Sequence, residues 1–181
     1  VNARRLLVTG ASGSGTTTLG MALAAHWAVP HADVDDYFWV PSEDPYTVKR
    51  DSRDRVRLMH EIFLPRPAWV LSGSVMGWGE RIVDRLEGIV FLELDPGVRL
   101  KRLKSREYRR YGARIDPGGD RQSNHEEFMD WARRYDDQDF DGRSRRRHEE
   151  WLASLDCPLL RLDASDELAL LVKFVRNWAG D

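Results

Sequence analysis

Short, almost wholly apolar runs alternate along the chain with longer stretches whose apolar residues recur every three or four positions. That alternation predicts strands and helices in turn. Arg4–Thr9 is the first apolar run; it breaks into Gly10-Ala11-Ser12-Gly13-Ser14-Gly15, and Leu19, Ala22, Leu23 and His26 follow at helical spacing. His31–Asp36 reads as a short second strand that stops in acidic residues, before a loop through Pro41 and Pro45. Val56, Met59, Ile62 and Phe63 give a helical face within the charged run from Asp51, closed by Pro65 and Pro67. Trp69–Ser74 and Gly88–Leu94 are a third and a fourth strand, apolar at their centres as strands covered on both faces must be. Leu100, Leu103 and Tyr111 mark a helix, a Gly/Asp/Arg segment runs from Gly112 to Gln122, and Phe128, Trp131, Ala132 and Tyr135 form the next helical face. Pro158–Asp163 is a fifth strand; Ser165 is a candidate N-cap for a last helix lined by Leu171, Phe174, Val175 and Trp178.

Strands alternating with helices predict an α/β fold, a parallel sheet of five strands with helices on both faces. In such sheets ligands gather at the carboxyl ends of the strands. Four of those ends carry Gly or Asp here: Gly10, Asp33 to Asp36, Gly73 and Asp95.

The 181 residues suffice for one core of ordinary size, so a single domain over residues 1–181 is expected. A formal net charge of -2 excludes a general polyanion binder, and with it nucleic acid and anionic membrane as expected partners. One cysteine, Cys157, rules out an intramolecular disulfide, and no apolar run approaches the roughly 20 residues that cross a bilayer. The Val1 end enters a strand-like segment directly, and a cytoplasmic protein is expected. Of the 28 basic residues 24 are arginine, a bias that suits bidentate capture of phosphate or carboxylate and equally follows from a GC-rich genome.

Gly10-Ala11-Ser12-Gly13-Ser14-Gly15-Thr16-Thr17 has the G-x-x-x-x-G-x-[ST] frame of a phosphate-binding loop between strand and helix. Successive backbone N–H groups can wrap a phosphate there, and the helix N-terminus adds its dipole. Gly10, Ser12, Gly13, Ser14, Gly15, Thr16, Thr17 and Thr18 are therefore candidate nucleotide-binding residues, and Thr17 is the candidate hydroxyl ligand of Mg²⁺. The frame normally carries Lys before the Ser/Thr, and this chain has Thr16. Another cation must supply the missing charge if phosphoryl transfer is to survive. Arg102 and Arg106 are the first candidates.

With the loop at Gly10 to Thr17, the strand-end acids Asp33 and Asp35, the Ser72-Gly73-Ser74 turn and Arg102-Leu103-Lys104-Ser105-Arg106, the chain resembles the P-loop kinases of the adenylate kinase and shikimate/gluconate kinase group, and within it a lysine-less subset of adenylate kinase-related proteins. The resemblance implies a three-layer P-loop NTPase fold, ATP and Mg²⁺ as cofactors, Arg102 against adenine, Arg106 on phosphate, and an arginine-rich lid from about residue 109 to 147. Adenylate kinases carry Asp in the third strand where this chain has Ser72, which leaves Thr17 with Asp33 or Asp35 as the candidate metal shell.

Asp33-Val34-Asp35, read as extended, puts two carboxylates on one face beyond the strand, where a carboxylate can orient or deprotonate a hydroxyl. A solvated turn with a helix cap is the alternative. The expected function is ATP-dependent phosphoryl transfer to a small-molecule hydroxyl, with Asp33, Asp35, Arg102 and Arg106 as catalytic candidates and Thr17 and Asp35 as metal ligands. A nucleoside monophosphate kinase and a non-catalytic nucleotide-binding module are the alternatives. From Arg99 to Arg121 nine basic residues face three acids, a patch able to clamp a triphosphate, with Arg99, Lys101 and Arg110 individually read as solvated. Arg143, Arg145, Arg146 and Arg147 form a second cluster, from which one or two arginines could reach phosphate. Tyr37, Phe38, Trp39, Tyr46 and Trp78 gather in loops where an acceptor would enter, and Lys49, Arg50 and Arg81 could meet an anion on it or face solvent. His60, His125 and His148 have no metal-ligand spacing with Cys157, so no zinc site is expected.

Overall fold

The computed structural model describes residues 4–181; Val1 lies outside the described residues. Five strands, β1 (Arg5–Gly10), β2 (His31–Asp33), β3 (Trp69–Ser72), β4 (Gly88–Glu93) and β5 (Leu159–Asp163), form one parallel sheet in the order β2-β3-β1-β4-β5. The pairings of β1 with β3 and β4, and of β3 with β2, are parallel, with Leu6 opposite both Val70 and Gly88. The crossovers are helical: α1 (Thr16–Trp27) leads from β1 to β2, and α2 (Val34–Phe38) and α3 (Ser52–Ile62) lead to β3. A short α4 (Glu80–Val83) precedes β4; α5 (Pro96–Tyr111), α6 (Gln122–Arg133) and α7 (Arg145–Ala153) precede β5; α8 (Leu168–Ala179) closes the chain.

The described residues divide into two compact units, one built from the chain up to Gly10, Gly15–Leu92 and Asp156–Asp181, the other from Ala11–Ser14 and Glu93–Leu155. In the first, the sheet is covered on both faces. A Cβ added to Gly20 of α1 would meet Ser72 Cβ at 3.1 Å, and one added to Gly88 would meet the Trp178 ring of α8 at 2.7 Å, so both glycines let a helix lie close on one face. Trp69, of opposite parity to Ser72, turns to the other face and packs its ring edge-on to Phe63, centroids 5.2 Å apart. Leu6, Leu7, Val8, Val70, Leu71 and Trp69 are all fully buried, as the apolar runs required.

Three expectations fail here for local reasons. The extended reading of 33–36 is overturned: Asp33 ends β2 and caps α2, accepting a hydrogen bond from the Asp35 N–H at 2.9 Å, because a carboxylate at that position satisfies an orphan helix donor. Ile62 is 55% exposed, and the buried face of α3 is instead Arg55 and Met59, continued by Phe63. The last helix starts after Glu167, since Ser165 gives its N–H to Asp163 in a turn, and Phe174 stands 40% exposed.

In the second unit α5 buries Arg99, Leu103 and Glu107, one residue per turn. Arg99 is therefore no solvated residue: it is 1% exposed and fully employed, donating to the Ala132 carbonyl at 2.9 Å, to Asp136 at 3.0 Å and to the Ser12 carbonyl at 3.3 Å. A buried guanidinium survives only with such partners. Nearby, His148 of α7 is fully buried and its Nδ1 lies 2.9 Å from the Tyr135 hydroxyl. Burial, then the charge of Arg143, pushes the imidazole pKa down to about 3. His148 is thus neutral in the fold and shares a hydrogen bond with the Tyr135 hydroxyl; Tyr135 is itself pushed up to about 12, chiefly by burial.

The linkage has a definite sign. Unfolded, His148 binds a proton from about pH 6.5 downward; folded, it binds one only near pH 3, so stability present above pH 6.5 is lost as the pH falls toward 3. His148→Gln should flatten the dependence of urea-unfolding free energy on pH between 6.5 and 4, by up to about 1.4 kcal/mol per pH unit relative to wild type.

Candidate functional site

The loop from Gly10 to Thr17 leaves the buried end of strand β1 and turns at once into α1. Gly13 and Gly15 have φ of +87° and +96°, conformations that a side chain would strain, and the Ser14 N–H closes a turn on the Ala11 carbonyl at 3.1 Å. Gly13 is also tight against α5: an added Cβ would stand 2.9 Å from the Arg99 carbonyl. Ser14 is buried and its hydroxyl has no partner among the described residues. Thr16 is half-buried, while Thr17 and Thr18 are exposed in the first turn of α1. Such a loop offers its N–H groups to an anion.

The carboxylate that Thr17 meets is Asp33. The Thr17 hydroxyl donates to Asp33 Oδ2 at 2.7 Å, and Ser72, fully buried at the end of β3, donates to the same oxygen at 3.2 Å. His31 Nε2 lies 2.9 Å from Ser72 Oγ. Since the single hydroxyl proton of Ser72 goes to Asp33, His31 must donate, which puts its proton on Nε2. Burial lowers the His31 pKa, and Asp33 and Asp36 oppose that. Asp35 stands exposed in the first turn of α2. Asp36 beside it has a raised pKa, from burial first and then the like charge of Asp33. The oxygen pair Thr17 and Asp33 suits Mg²⁺, a hard cation that takes hydroxyl and carboxylate ligands and keeps several waters.

Arg99 and Arg143 are hydrogen-bonded to loop atoms, Arg99 donating to the Ser12 carbonyl and Arg143 donating from Nη2 to the Ser12 hydroxyl. Arg102 is exposed on α5, and Arg106 lies over the Phe128 ring at 5.7 Å, with Glu107 3.9 Å away.

Beyond β2, an antiparallel bridge between Trp39 and Lys49 shapes the loop into α3. Arg50 is spent on it, donating to the carbonyls of Tyr37 and Trp39 at 2.9 and 3.1 Å, so the expected choice for Arg50 between an anion and solvent falls to neither. The residue that sequence reasoning missed is Arg55. It is 8% exposed, its Nε donates to the Arg50 carbonyl at 2.7 Å, and its guanidinium lies over Phe38 at 3.7 Å and Trp78 at 5.2 Å. Among the described residues its two terminal nitrogens have no hydrogen bond or ion pair. Burial lowers its pKa, Asp51 opposing. The signal was an arginine one turn before Met59, on the apolar face of a helix otherwise charged. Lys49 and Arg81 are exposed.

Residues 6–130 match the AAA domain family, AAA_18. The chain belongs to that family. It is also 38% identical over 160 residues, 88% of each chain, to the uncharacterized protein YqaC of Bacillus subtilis (strain 168). Its fold is that of P-loop kinases: it is similar to a shikimate kinase from Bacteroides thetaiotaomicron (TM-score 0.60, 18% identity, 99% of both chains). A gluconokinase from Sinorhizobium meliloti 1021 matches at TM-score 0.54 with 15% identity, over 98% of this chain and 91% of the other. Among the described residues no helix is long and apolar enough to cross a membrane.

Ser72→Ala should strand the His31 donor and leave Asp33 with one bond fewer. The expected cost is about 1–3 kcal/mol in urea unfolding.

Proposed function

We propose that this AAA-family P-loop protein is a Mg-ATP-dependent kinase that phosphorylates a hydroxyl of a small anionic acceptor. The Thr17 to Asp33 hydrogen bond, at 2.7 Å, carries the reading, because it presents the hydroxyl and carboxylate that a hydrated Mg²⁺ needs where the phosphate loop enters its helix. When bound, Mg²⁺ neutralises charge on the transferring phosphoryl oxygens. The loop from Gly10 to Thr18 holds the triphosphate, and Arg102 and Arg106 are the α5 residues assigned to the nucleotide. In this reading residues 1–181 work as one kinase domain, in the cytoplasm, with 109–147 as its lid.

Asp35 takes the proton of the acceptor hydroxyl as its oxygen attacks the γ-phosphorus, the bond to the β-phosphate oxygen breaks, and ADP leaves. Support for an anionic acceptor comes from Arg55, a buried guanidinium laid on Phe38 and Trp78 with terminal donors unpaired among the described residues. A guanidinium held flat on aromatic rings keeps its outer edge for a carboxylate or phosphate. The names shikimate kinase and gluconokinase, carried by proteins of the same fold, agree with a small-molecule acceptor.

Calorimetric titration of Mg-ATP should show micromolar-to-millimolar binding that Gly15→Asp abolishes, since that change puts a carboxylate and a strained φ in the loop. No binding of ATP or GTP would sink the reading. With acceptors screened by ADP release, Arg55→Lys should raise KM for anionic acceptors about tenfold with ATP affinity unchanged. Asp35→Asn should lower kcat about 10²-fold or more and spare ATP binding. Turnover on nucleoside monophosphates alone would instead identify a nucleotide kinase, and ATP binding without any product a binding module.

A further inference from the structure

The carboxylate read above as the partner of Mg²⁺ is Asp33, and His31 stands two residues before it on the same side of β2. No step of the proposed transfer uses that imidazole. We infer that His31 is a positioning residue for the metal site: acting through Ser72, it holds Asp33 against Thr17 and so sets how tightly a divalent cation is bound. The inference rests on the reading of Thr17 and Asp33 as the Mg²⁺ pair and adds the residues that keep the carboxylate in place.

The direction of the hydrogen bonds carries it. As a carboxylate Asp33 only accepts, from Thr17 at 2.7 Å and Ser72 at 3.2 Å on Oδ2 and from the Asp35 N–H at 2.9 Å on Oδ1. A serine hydroxyl has one proton and turns about its C–O bond, so Ser72 on its own is free to aim that proton elsewhere. His31 Nε2, 2.9 Å from Ser72 Oγ, removes the freedom. Its N–H fills a lone pair of the serine oxygen and leaves the hydroxyl proton for Asp33. The opposite tautomer would draw the Ser72 proton to the ring and take a donor from the carboxylate.

The packing keeps this chain of bonds in one arrangement. Ser72 is fully buried, so its hydroxyl is met inside the protein. Gly20 lies one turn after Thr17 on α1, and a Cβ there would stand 3.0 Å from His31 Nε2 and 3.1 Å from Ser72 Cβ. The helix face that presents Thr17 to Asp33 is therefore the face that rests on the imidazole and the serine. All of these residues belong to the compact unit that contains Gly15–Leu92. Where the adenylate kinases that this chain resembles carry Asp, Ser72 contributes a donor instead of a second negative charge, so cation binding depends on how well Asp33 is held.

The test compares, by calorimetry, the affinity for Mg-ATP with that for metal-free ATP in EDTA, for wild type, His31→Leu, His31→Gln, Ser72→Ala and His31→Leu/Ser72→Ala. Near-UV circular dichroism reports the fold. His31→Leu should weaken Mg-ATP binding about tenfold and leave metal-free ATP unchanged, while His31→Gln, whose amide keeps an N–H at similar reach, should stay within about threefold of wild type. The double variant should bind Mg-ATP no more weakly than Ser72→Ala alone, because both changes cut the same chain of bonds. Should His31→Leu not fold, His31→Asn takes its place, its amide too short to reach Ser72, and must also weaken Mg-ATP. Equal affinity of the folded variant and wild type for Mg-ATP overturns the inference and leaves the kinase reading standing. So does a loss as large in His31→Gln as in His31→Leu, or losses that add in the double variant. A wild-type protein that binds ATP equally with and without Mg²⁺ overturns the metal reading and this inference with it, and one that binds no nucleotide overturns the phosphate-loop reading itself.

Discussion

One carboxylate ties together three elements at the end of the sheet. Asp33 accepts from Thr17 at the start of α1, from Ser72 at the end of β3, and from the backbone of α2, which it caps. Ser72 is fully buried, so there the carboxylate meets a donor that water does not reach. The arrangement dictates its neighbours: His31 must give its proton to Ser72, and Gly20 must lack a side chain, since a Cβ there would come within 3.0 Å of the imidazole. Ser72, where adenylate kinases carry an acid, thereby avoids a second negative charge against Asp33 and serves to orient the first.

Two buried arginines, Arg99 and Arg55, illustrate two solutions to one problem. Removing a guanidinium from water is costly unless its donors are met. Arg99 meets them with two carbonyls and Asp136, and so pins the loop carbonyl of Ser12 to its own helix. Arg55 meets only one, and rests on aromatic faces instead. A fully satisfied guanidinium is framework, whereas one with spare donors is poised for an anion.

The order of strands and helices, the phosphate loop and the absence of its lysine were all legible in the sequence. They depend on local rules: an apolar run long enough to be buried on both faces, glycines where φ must be positive, and a hydroxyl at a fixed offset. What only the tertiary structure decided is which distant side chains meet. Thr17 finds Asp33 across a crossover, Arg143 finds Ser12 across more than a hundred residues, and Arg55, within the charged run from Asp51, is buried with Phe38 and Trp78 beneath it. The reading of Asp33 and Asp35 as one extended face failed for the same reason: strand and helix are both open to Asp-Val-Asp, and the choice fell to the helix once Asp33 caps it. Periodicity records how a segment meets its own neighbours, and a cation's partner is set by the packing of elements far apart in sequence.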